Sequence, residues 1–273
     1  MLTGYRPEDD VSAGLDQNDT TYYQELIGVL RWAIELGRID ISCKVSMLSS
    51  HLALPREGHL QQALHVFGYL KQYPKKSLYF NPGCILVPHE RFQKFDWADF
   101  YKDAQEEIPL DAPEPRGHVV QISCFVDADH AANRQTRKSQ TGILCFLNKA
   151  PISWYSKRQN TVESSTFGSE FVAMRTAVEQ IQALRLKLRW MGIPLDGPAN
   201  IFCDNLSVVK SSTQPECTLS KKHNGIAYHK VREAVAGGWI RIAYEPTKTN
   251  LADILTKPLS AQRRGQLLEC FMH

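Results

Sequence analysis

Several features are missing from the sequence, and each absence excludes a class of protein. No uncharged apolar run reaches the ~18 residues of a membrane span, so no transmembrane helix is expected. The seven cysteines include no Cys-x-x-Cys pair, which argues against a zinc ribbon and a disulfide framework. The first ten residues contain no apolar segment, so we expect no signal peptide and an intracellular setting.

Charge is unevenly distributed, although the formal net charge of the 273 residues is only +3. Residues 1–118 carry 12 Lys and Arg against 17 Asp and Glu, whereas residues 119–273 carry 20 against 12. The second part therefore has a net charge of +8, which is typical of a domain that faces a polyanion. A solvated basic surface without a binding role is the alternative.

The N-terminal part shows the apolar spacing of helices. Apolar residues recur at helical intervals in residues 22–36 and 59–73, and residues 42–54 are mostly apolar and also predicted to be helical. Residues 74–118 break up into Pro, Gly and acidic clusters, which indicates a linker or an irregular connection.

The pattern after residue 118 is that of an α/β domain. Apolar segments with short spacings predict an antiparallel meander of three strands. Helices and two further strands follow, so the order predicts a mixed sheet with helices packed on its faces. The predicted strands are 119–126, 142–147, 151–155, 200–203 and 239–244; the predicted helices are 164–191, as two helices in series, 223–236 and a short one from Asn250.

Four acidic residues stand where rigid backbone can bring side chains together. Asp127 and Asp204 each follow an apolar strand, and Glu170 and Asp253 lie in the first turns of helices. Converging carboxylates repel one another unless divalent cations neutralise them, and oxygen ligands suit Mg²⁺ or Mn²⁺. Two such ions ~3.5–4 Å apart serve phosphodiester hydrolysis. The spacing alone leaves open that the four are ordinary turn, helix-start and surface residues.

Residues 119–260 carry a series of short motifs around these acids. They are Val-Asp-Ala-Asp at 126–129, Arg-Lys-Ser at 137–139, Gly142, Trp-Tyr-Ser-Lys-Arg-Gln at 154–159, Ser-Ser-Thr at 164–166, Glu-Phe-Val-Ala at 170–173, Cys-Asp-Asn at 203–205, Lys-His at 222–223 with His229 and Arg-Glu at 232–233, and Ala-Asp-Ile-Leu-Thr-Lys-Pro-Leu at 252–259. In this order they resemble the ribonuclease H domain of copia-type LTR retrotransposon polyproteins.

Residues 23–71 resemble the end of the same family's reverse transcriptase, beyond its polymerase site. The sequence contains no Tyr-x-Asp-Asp polymerase signature, so no polymerase activity is expected. The resemblance divides the chain into a helical reverse-transcriptase remnant (1–80), a linker (81–118), a ribonuclease H-like domain (119–260) and a C-terminal tail (261–273).

The resemblance implies a ribonuclease H-like fold and cleavage of the RNA strand of RNA–DNA hybrids with two Mg²⁺ ions, for which Mn²⁺ can substitute. It assigns metal binding and catalysis to Asp127, Glu170, Asp204 and Asp253, with Asp129 as second choice for the first role. The partners would be the hybrid and the rest of the polyprotein, in a cytoplasmic virus-like particle or the nucleus. The candidate nucleic-acid contacts, each with an ordinary surface or capping role as alternative, are Asn133, Arg137, Lys138, Lys157, Arg158, Ser164, Ser165, Thr166, Asn205, Lys222 and His223.

Departures from the family pattern leave a second hypothesis open. His130 replaces an aromatic residue, the segment before Glu170 is one residue longer, and the turn at 245–249 contains no His. A catalytically inactive ribonuclease H fold that binds nucleic acid, from a decayed copy, is therefore the alternative. A transposase or integrase of related fold would leave the Asp253 motif unexplained, and the spacing of Cys203, Cys217, His223 and His229 fits no compact zinc site.

Overall fold

Three helices pack together in the N-terminal part of the chain. The computed structural model describes residues 5–219 and 224–273. The helices are α1 (Gln17–Glu35), α2 (Ser42–Leu48) and α3 (Glu57–Gln72), close to the predicted helical segments. Their apolar stripes meet in one buried cluster, because residues three and four apart share a helix face.

A five-stranded mixed sheet forms the second part. Its strands are β1 (Ile122–Asp129), β2 (Gln140–Leu147), β3 (Ala150–Arg158), β4 (Ala199–Cys203) and β5 (Ile240–Tyr244). The order across the sheet is β3-β2-β1-β4-β5. β1 and β2, and β2 and β3, pair antiparallel, whereas β4 is parallel to β1 and to β5. The predicted meander is therefore confirmed.

Helices cover both faces of this sheet. On one face pack α5 (Thr166–Trp190), α6 (Leu206–Thr213) and α7 (Gly225–Ala236); on the other pack α8 (Asp253–Thr256) and α9 (Ala261–Leu268). Side chains of β1 pack against the helices on both faces of the sheet, since Cys124 and Val126 belong to the first apolar cluster and Phe125 to the second. The structure confirms the predicted α/β class. It is a ribonuclease H-like mixed sheet with strands 1–3 antiparallel and helices on both faces, and a helical unit precedes it.

Some predicted boundaries differ from those observed. Segment 164–191 is one helix rather than two, because no Gly or Pro interrupts residues 169–190. β1 continues through the pairs Asp127↔Gly142 and Asp129↔Gln140, so Asp127 lies within the strand rather than after it. The sequence analysis did not foresee α6, a helix of only eight residues.

The segments predicted as linker and tail both pack on the α/β part. Residues 81–118 are mostly irregular, with one short helix, α4 (Ala98–Tyr101). Phe92 of this segment is buried against the sheet, and Glu106 pairs with Arg185 of α5. Residues 261–273 contain α9 and the buried Phe271. None of the helices in the described ranges has the length and apolar content that a membrane span requires.

Candidate active site

Neighbouring strands bring Asp127 and Asp204 to the same edge of the sheet. β1 and β4 run parallel, and Val126 is in register with Cys203. Asp127 is the next residue of β1, and Asp204 directly follows the last residue of β4. Because parallel neighbours in register carry their following residues side by side, the two carboxylates start from adjacent backbone positions.

Asp253 reaches this edge because α8 lies unusually close to β2. A Cβ atom at Gly142 would lie 2.6 Å from Cγ2 of Thr256 and 2.8 Å from the carbonyl oxygen of Ala252. Only glycine leaves room for this approach. The buried Asn250 holds the start of α8 against β1, since its Nδ2 donates to the Val126 carbonyl (2.9 Å) and its Oδ1 accepts from the Ala252 N–H (3.1 Å).

The four predicted acids form two overlapping groups. One carboxylate oxygen from each of Asp127, Asp204 and Asp253 lies within 4.8 Å of the other two. Glu170, the Cys203 thiol and Asp204 form a second group within the same limit. Asp204 belongs to both, so the four carboxylates, from two strand ends and two helices, meet in one place. We call these four side chains the carboxylate cluster.

Burial makes the charged state of this cluster unfavourable. Asp127, Glu170 and Asp253 are each only 3% exposed. Burial, with a smaller contribution from Asp204 and Asp253, raises the pKa of Asp127 to about 7. Burial and the charges of Asp127 and Asp204 raise the pKa of Glu170 well above its ordinary value, and burial also raises the pKa of Asp204. The cluster therefore favours a bound proton or cation.

Neighbouring side chains compensate part of this charge. Lys257 Nζ lies 2.7 Å from Asp253 Oδ1, and an Arg263 guanidinium nitrogen lies 3.7 Å from Asp253 Oδ2. The Thr256 hydroxyl donates to Asp127 Oδ2, and the Thr247 hydroxyl donates to Asp204 Oδ2 at 2.8 Å. These contacts fix the orientation of three of the four carboxylates.

Glu170 accepts a hydrogen bond from the backbone N–H of Ala128 but has no ion-pair partner among the described residues. Its Oε2 is buried and has no hydrogen-bond partner within residues 5–219 and 224–273. Burial raises the pKa of the neighbouring Cys203, so this thiol stays protonated and is a poor metal ligand. The remaining donors are carboxylate oxygens, the ligands that Mg²⁺ and Mn²⁺ prefer. The residues present therefore fit a hard divalent cation.

Asp129, the second choice for the first-strand role, lies apart from both groups. It ends β1, is half-buried, and burial raises its pKa. Two residues along a strand point to the same face, so the alternation of the strand does not separate it from Asp127. The separation comes from α8, which approaches β1 at the level of Asp127.

The predicted nucleic-acid contacts on β3 and the β1–β2 loop lie near this edge. Lys138 and Arg158 line a small cavity together with Thr256, the residue that contacts Asp127. Lys157 and Arg137 are exposed. The side-chain oxygen of Asn133 already accepts hydrogen bonds from the Thr136 N–H and hydroxyl, so it has a role in shaping the loop.

The other predicted contacts lie at helix starts or outside the described residues. Ser165 caps α5 by accepting from the Gly168 N–H, and Asn205 caps α6 by accepting from the Ser207 and Val208 N–H groups. Ser164 and Thr166 are exposed beside the first cap. Lys222 and His223 lie outside the described residues.

Three residues at the cluster were not singled out from the sequence. Thr256 and Lys257 follow Asp253 by three and four positions, and these spacings bring side chains to one face of a helix. That spacing was a usable signal. Thr247 lies in the turn before α8, and nothing in the local sequence connects it with Asp204.

The sequence of the chain is similar to those of several known polyproteins. No protein-family model matches the chain. The retrovirus-related Pol polyprotein from transposon RE1 of Arabidopsis thaliana is 29% identical over 254 residues, which are 93% of this chain and 15% of that protein. The corresponding protein of transposon RE2 is 27% identical over the same shares. That of transposon TNT 1-94 of Nicotiana tabacum is 25% identical over 86% of this chain and 15% of its own length.

Solved structures similar to the chain have low identity. LC11-RNase H1 in complex with an RNA/DNA hybrid superposes with a TM-score of 0.40 at 16% identity, over 50% of this chain and 94% of that one. A foamy viral protease-reverse transcriptase in complex with an RNA/DNA hybrid superposes with a TM-score of 0.36 at 16% identity, over 77% and 26%.

The relationship predicted from the motifs is confirmed by the sequence matches. They extend over nearly the whole chain, so they include the helical part as well as the sheet that carries the carboxylate cluster. The chain spans about 15% of the length of these relatives. Its sequence is thus similar to a segment of the retrovirus-related Pol polyproteins of transposons.

Proposed function

We propose that this chain hydrolyses the RNA strand of RNA–DNA hybrids by two-metal-ion catalysis, as part of a copia-type reverse transcriptase/ribonuclease H polyprotein. The observation that carries the proposal is the meeting of four carboxylates in two groups that share Asp204. The relatives are Pol polyproteins, and two of the similar solved structures contain an RNA/DNA hybrid.

The chain's own residues hold and orient the cation site. Asp127, Asp204 and Asp253 would supply oxygen ligands on one side, and Glu170 and Asp204 on the other. When bound, Mg²⁺ would stabilise the charge on the attacking water and on the leaving oxygen of the phosphodiester. The hydroxyls of Thr256 and Thr247 fix the carboxylates of Asp127 and Asp204 in position.

Recognition of the hybrid would use the basic surface around the cluster. A hybrid approaches A-form, and its wide minor groove exposes the 2′-hydroxyls that identify the RNA strand. Arg137, Lys138, Lys157 and Arg158 would contact phosphates, and Ser164, Thr166 and Asn205 would contact backbone or 2′-hydroxyl groups. Phosphate contacts of this kind weaken steeply with salt.

The alternative, an inactive module that only binds nucleic acid, would be favoured by carboxylates spread over the surface. Instead, the four are buried or half-buried and adjacent. A fold that keeps uncompensated acids together at an energetic cost supports a cation-dependent role, because perturbed pKa values concentrate at functional sites.

The test is cleavage of an end-labelled RNA–DNA hybrid by the full chain in Mg²⁺. Wild type should cleave the RNA strand, and Asp204→Asn should lose activity, because it removes a ligand with little change of shape. Asp196→Asn, an exposed carboxylate of the same domain, is the matched control and should cleave as wild type. Equal rates for wild type and Asp204→Asn would refute the proposal.

A further inference from the structure

A groove of about 450 Å³ lies between the helical part of the chain and the edge strand β3. α1 and α2 form one wall, and β3 with Lys138 of the β1–β2 loop forms the other. None of the four carboxylates of the cluster lines it. The groove therefore belongs to neither part alone and requires both.

The helical wall is polar because α2 has two faces. Val45 and Leu48 belong to the apolar cluster of the helical part. Ser46 of α2 lines the groove, as do Ser49 and Ser50, which stand three and four positions after it. Ser46 Oγ accepts from Gln140 Nε2 at 3.0 Å, which leaves its hydroxyl hydrogen available to an incoming acceptor.

The groove concentrates positive charge. Arg31, Lys138, Lys157 and Arg158 line it, against the single acid Glu35. Within the described parts of the chain, no ion pair joins any of these four cations to a carboxylate. Like charges gathered without counter-charges raise the local potential and attract a polyanion.

The groove is contiguous with the carboxylate cluster. Its floor includes Trp154, which packs against both the helical cluster and one sheet cluster and is still partly exposed. Lys138 and Arg158 also line the small cavity that Thr256 borders, and Thr256 donates to Asp127. The groove therefore lies on the Thr256 side of the carboxylate cluster.

We infer that this groove binds the phosphodiester backbone of a nucleic-acid strand beyond the point of cleavage. The helical part would then be a component of the substrate-binding surface and not only a remnant attached to it. Four cations, the Ser46 hydroxyl and a partly exposed indole suit phosphates and sugars. The identity of the ligand as a hybrid rests on the proposed function.

The experiment measures binding separately from cleavage. A fluorescent RNA–DNA hybrid longer than one helical turn is titrated with the full chain in EDTA, and anisotropy is recorded at several salt concentrations. The variants are Arg31→Glu, Glu35→Lys and, as matched control, Lys71→Glu, which makes the same charge change on the exposed surface of α3. Arg31, Glu35 and Lys71 are all exposed helix residues, and unchanged thermal melting would show that the variants fold.

The groove predicts opposite effects for the two groove variants. Arg31→Glu should lower the affinity on the order of tenfold and reduce the slope of log affinity against log salt by about one. Glu35→Lys should tighten binding, and Lys71→Glu should bind within about twofold of wild type. In Mg²⁺, Arg31→Glu should raise KM and leave kcat unchanged, because the groove lies away from the reacting atoms.

Two results would overturn the inference, and a third would separate it from the proposed function. Equal affinities of Arg31→Glu, Glu35→Lys and Lys71→Glu would show that the groove does not contact the strand. Binding of a polyglutamate peptide as tightly as the hybrid would identify an acidic protein as the ligand instead. An uncleaved hybrid with the expected ranking of variants would refute the nuclease and support the groove.

Discussion

The two sides of the carboxylate cluster differ in how their charge is compensated. On the α8 side, Asp253 has Lys257 at 2.7 Å and Arg263 at 3.7 Å. On the α5 side, Glu170 has a buried oxygen without a hydrogen-bond partner in the described residues. The fold thus supplies cations to one half of the cluster and leaves the other half dependent on a proton or a bound cation.

This difference has an energetic reason. A buried carboxylate without a counter-charge costs several kcal/mol when it is ionised, so it takes up a proton instead. The raised pKa of Glu170 is the expression of that cost. A divalent cation would offset this cost mainly on the α5 side, because Lys257 already supplies a positive charge on the α8 side.

The largest expected effect comes from removing the charge on the α5 side. Glu170→Gln keeps the shape and removes the uncompensated carboxylate, so hybrid cleavage should fall on the order of 10²–10³-fold, as for other preorganised electrostatic groups. Initial rates in Mg²⁺ measure the loss. Glu179→Gln, an exposed acid on the same helix, is the control. An active Glu170→Gln would assign no role to the α5 side.

The pH dependence of stability tests the same side without a substrate. The pKa of Asp127 is raised to about 7 and that of Glu170 is raised as well, so the folded state binds these protons more tightly than the unfolded state. Without divalent cations, the contribution of these protons to the free energy of unfolding should therefore be fully present below about pH 4. It should be lost as the pH rises through 7, by at most about 1.4 kcal/mol per pH unit for each group.

Thermal melting in EDTA from pH 5 to 8 measures this loss. Asp127→Asn should flatten the profile, because it removes one of the groups whose pKa is raised in the folded state. Addition of Mg²⁺ should flatten it too, since a bound cation replaces the protons. A wild-type profile that rises with pH through this range would contradict the predicted sign.

Gly142→Ala should disturb the α8 side of the carboxylate cluster and not the α5 side. The added Cβ would meet Thr256 and the Ala252 carbonyl at under 3 Å, so α8 must move away from β2. We expect a loss of about 1–3 kcal/mol in stability, as for other overpacked sites. Cleavage should fall further than stability explains, because Asp253 moves with α8. Gly28→Ala, where nothing lies within 4 Å, is the control for chemical denaturation and rates.

The smallest effect should come from removing the cation beside Asp253, so that the α8 side, like the α5 side, has less positive charge. Lys257→Met keeps most of the aliphatic stem and removes the cation beside Asp253. The cluster becomes more negative, so its affinity for Mn²⁺ should rise severalfold. Lys149→Met, a cation in the turn between β2 and β3, should leave that affinity unchanged. Weaker Mn²⁺ binding in Lys257→Met would show that Lys257 supports the site rather than substituting for a cation.

Much of the fold follows from local patterns in the sequence. Helical spacing predicts α1 and α3, and short apolar segments predict the antiparallel strands, because both signals depend on neighbouring residues. α6 has only eight residues and its N-cap, Asn205, had been considered as a nucleic-acid contact, so its start was not recognised. α9 was missed because its burial depends on a sheet face that is distant in sequence.

The four acids of the candidate site could be predicted from the sequence, but the contacts that neutralise their charge could not. The positions of Asp127 and Asp204 directly after Val126 and Cys203 give their adjacency once the two strands are parallel neighbours in register. The pairing of Asp253 with Lys257, and the lack of a hydrogen-bond partner for Glu170 Oε2 among the described residues, depend on how α8 and α5 approach the sheet. The approach of α8 is set by Gly142 and Asn250, whose roles appear only when distant segments are brought together.

Calorimetric titration of Mn²⁺ into the full chain at neutral pH tests the central claim most directly. The account predicts two ions per wild-type chain and loss of both from Asp204→Asn, because Asp204 belongs to both carboxylate groups. Asp196→Asn should bind as wild type. Binding of Mn²⁺ to Asp204→Asn with wild-type affinity and stoichiometry would contradict a shared cation site at this cluster.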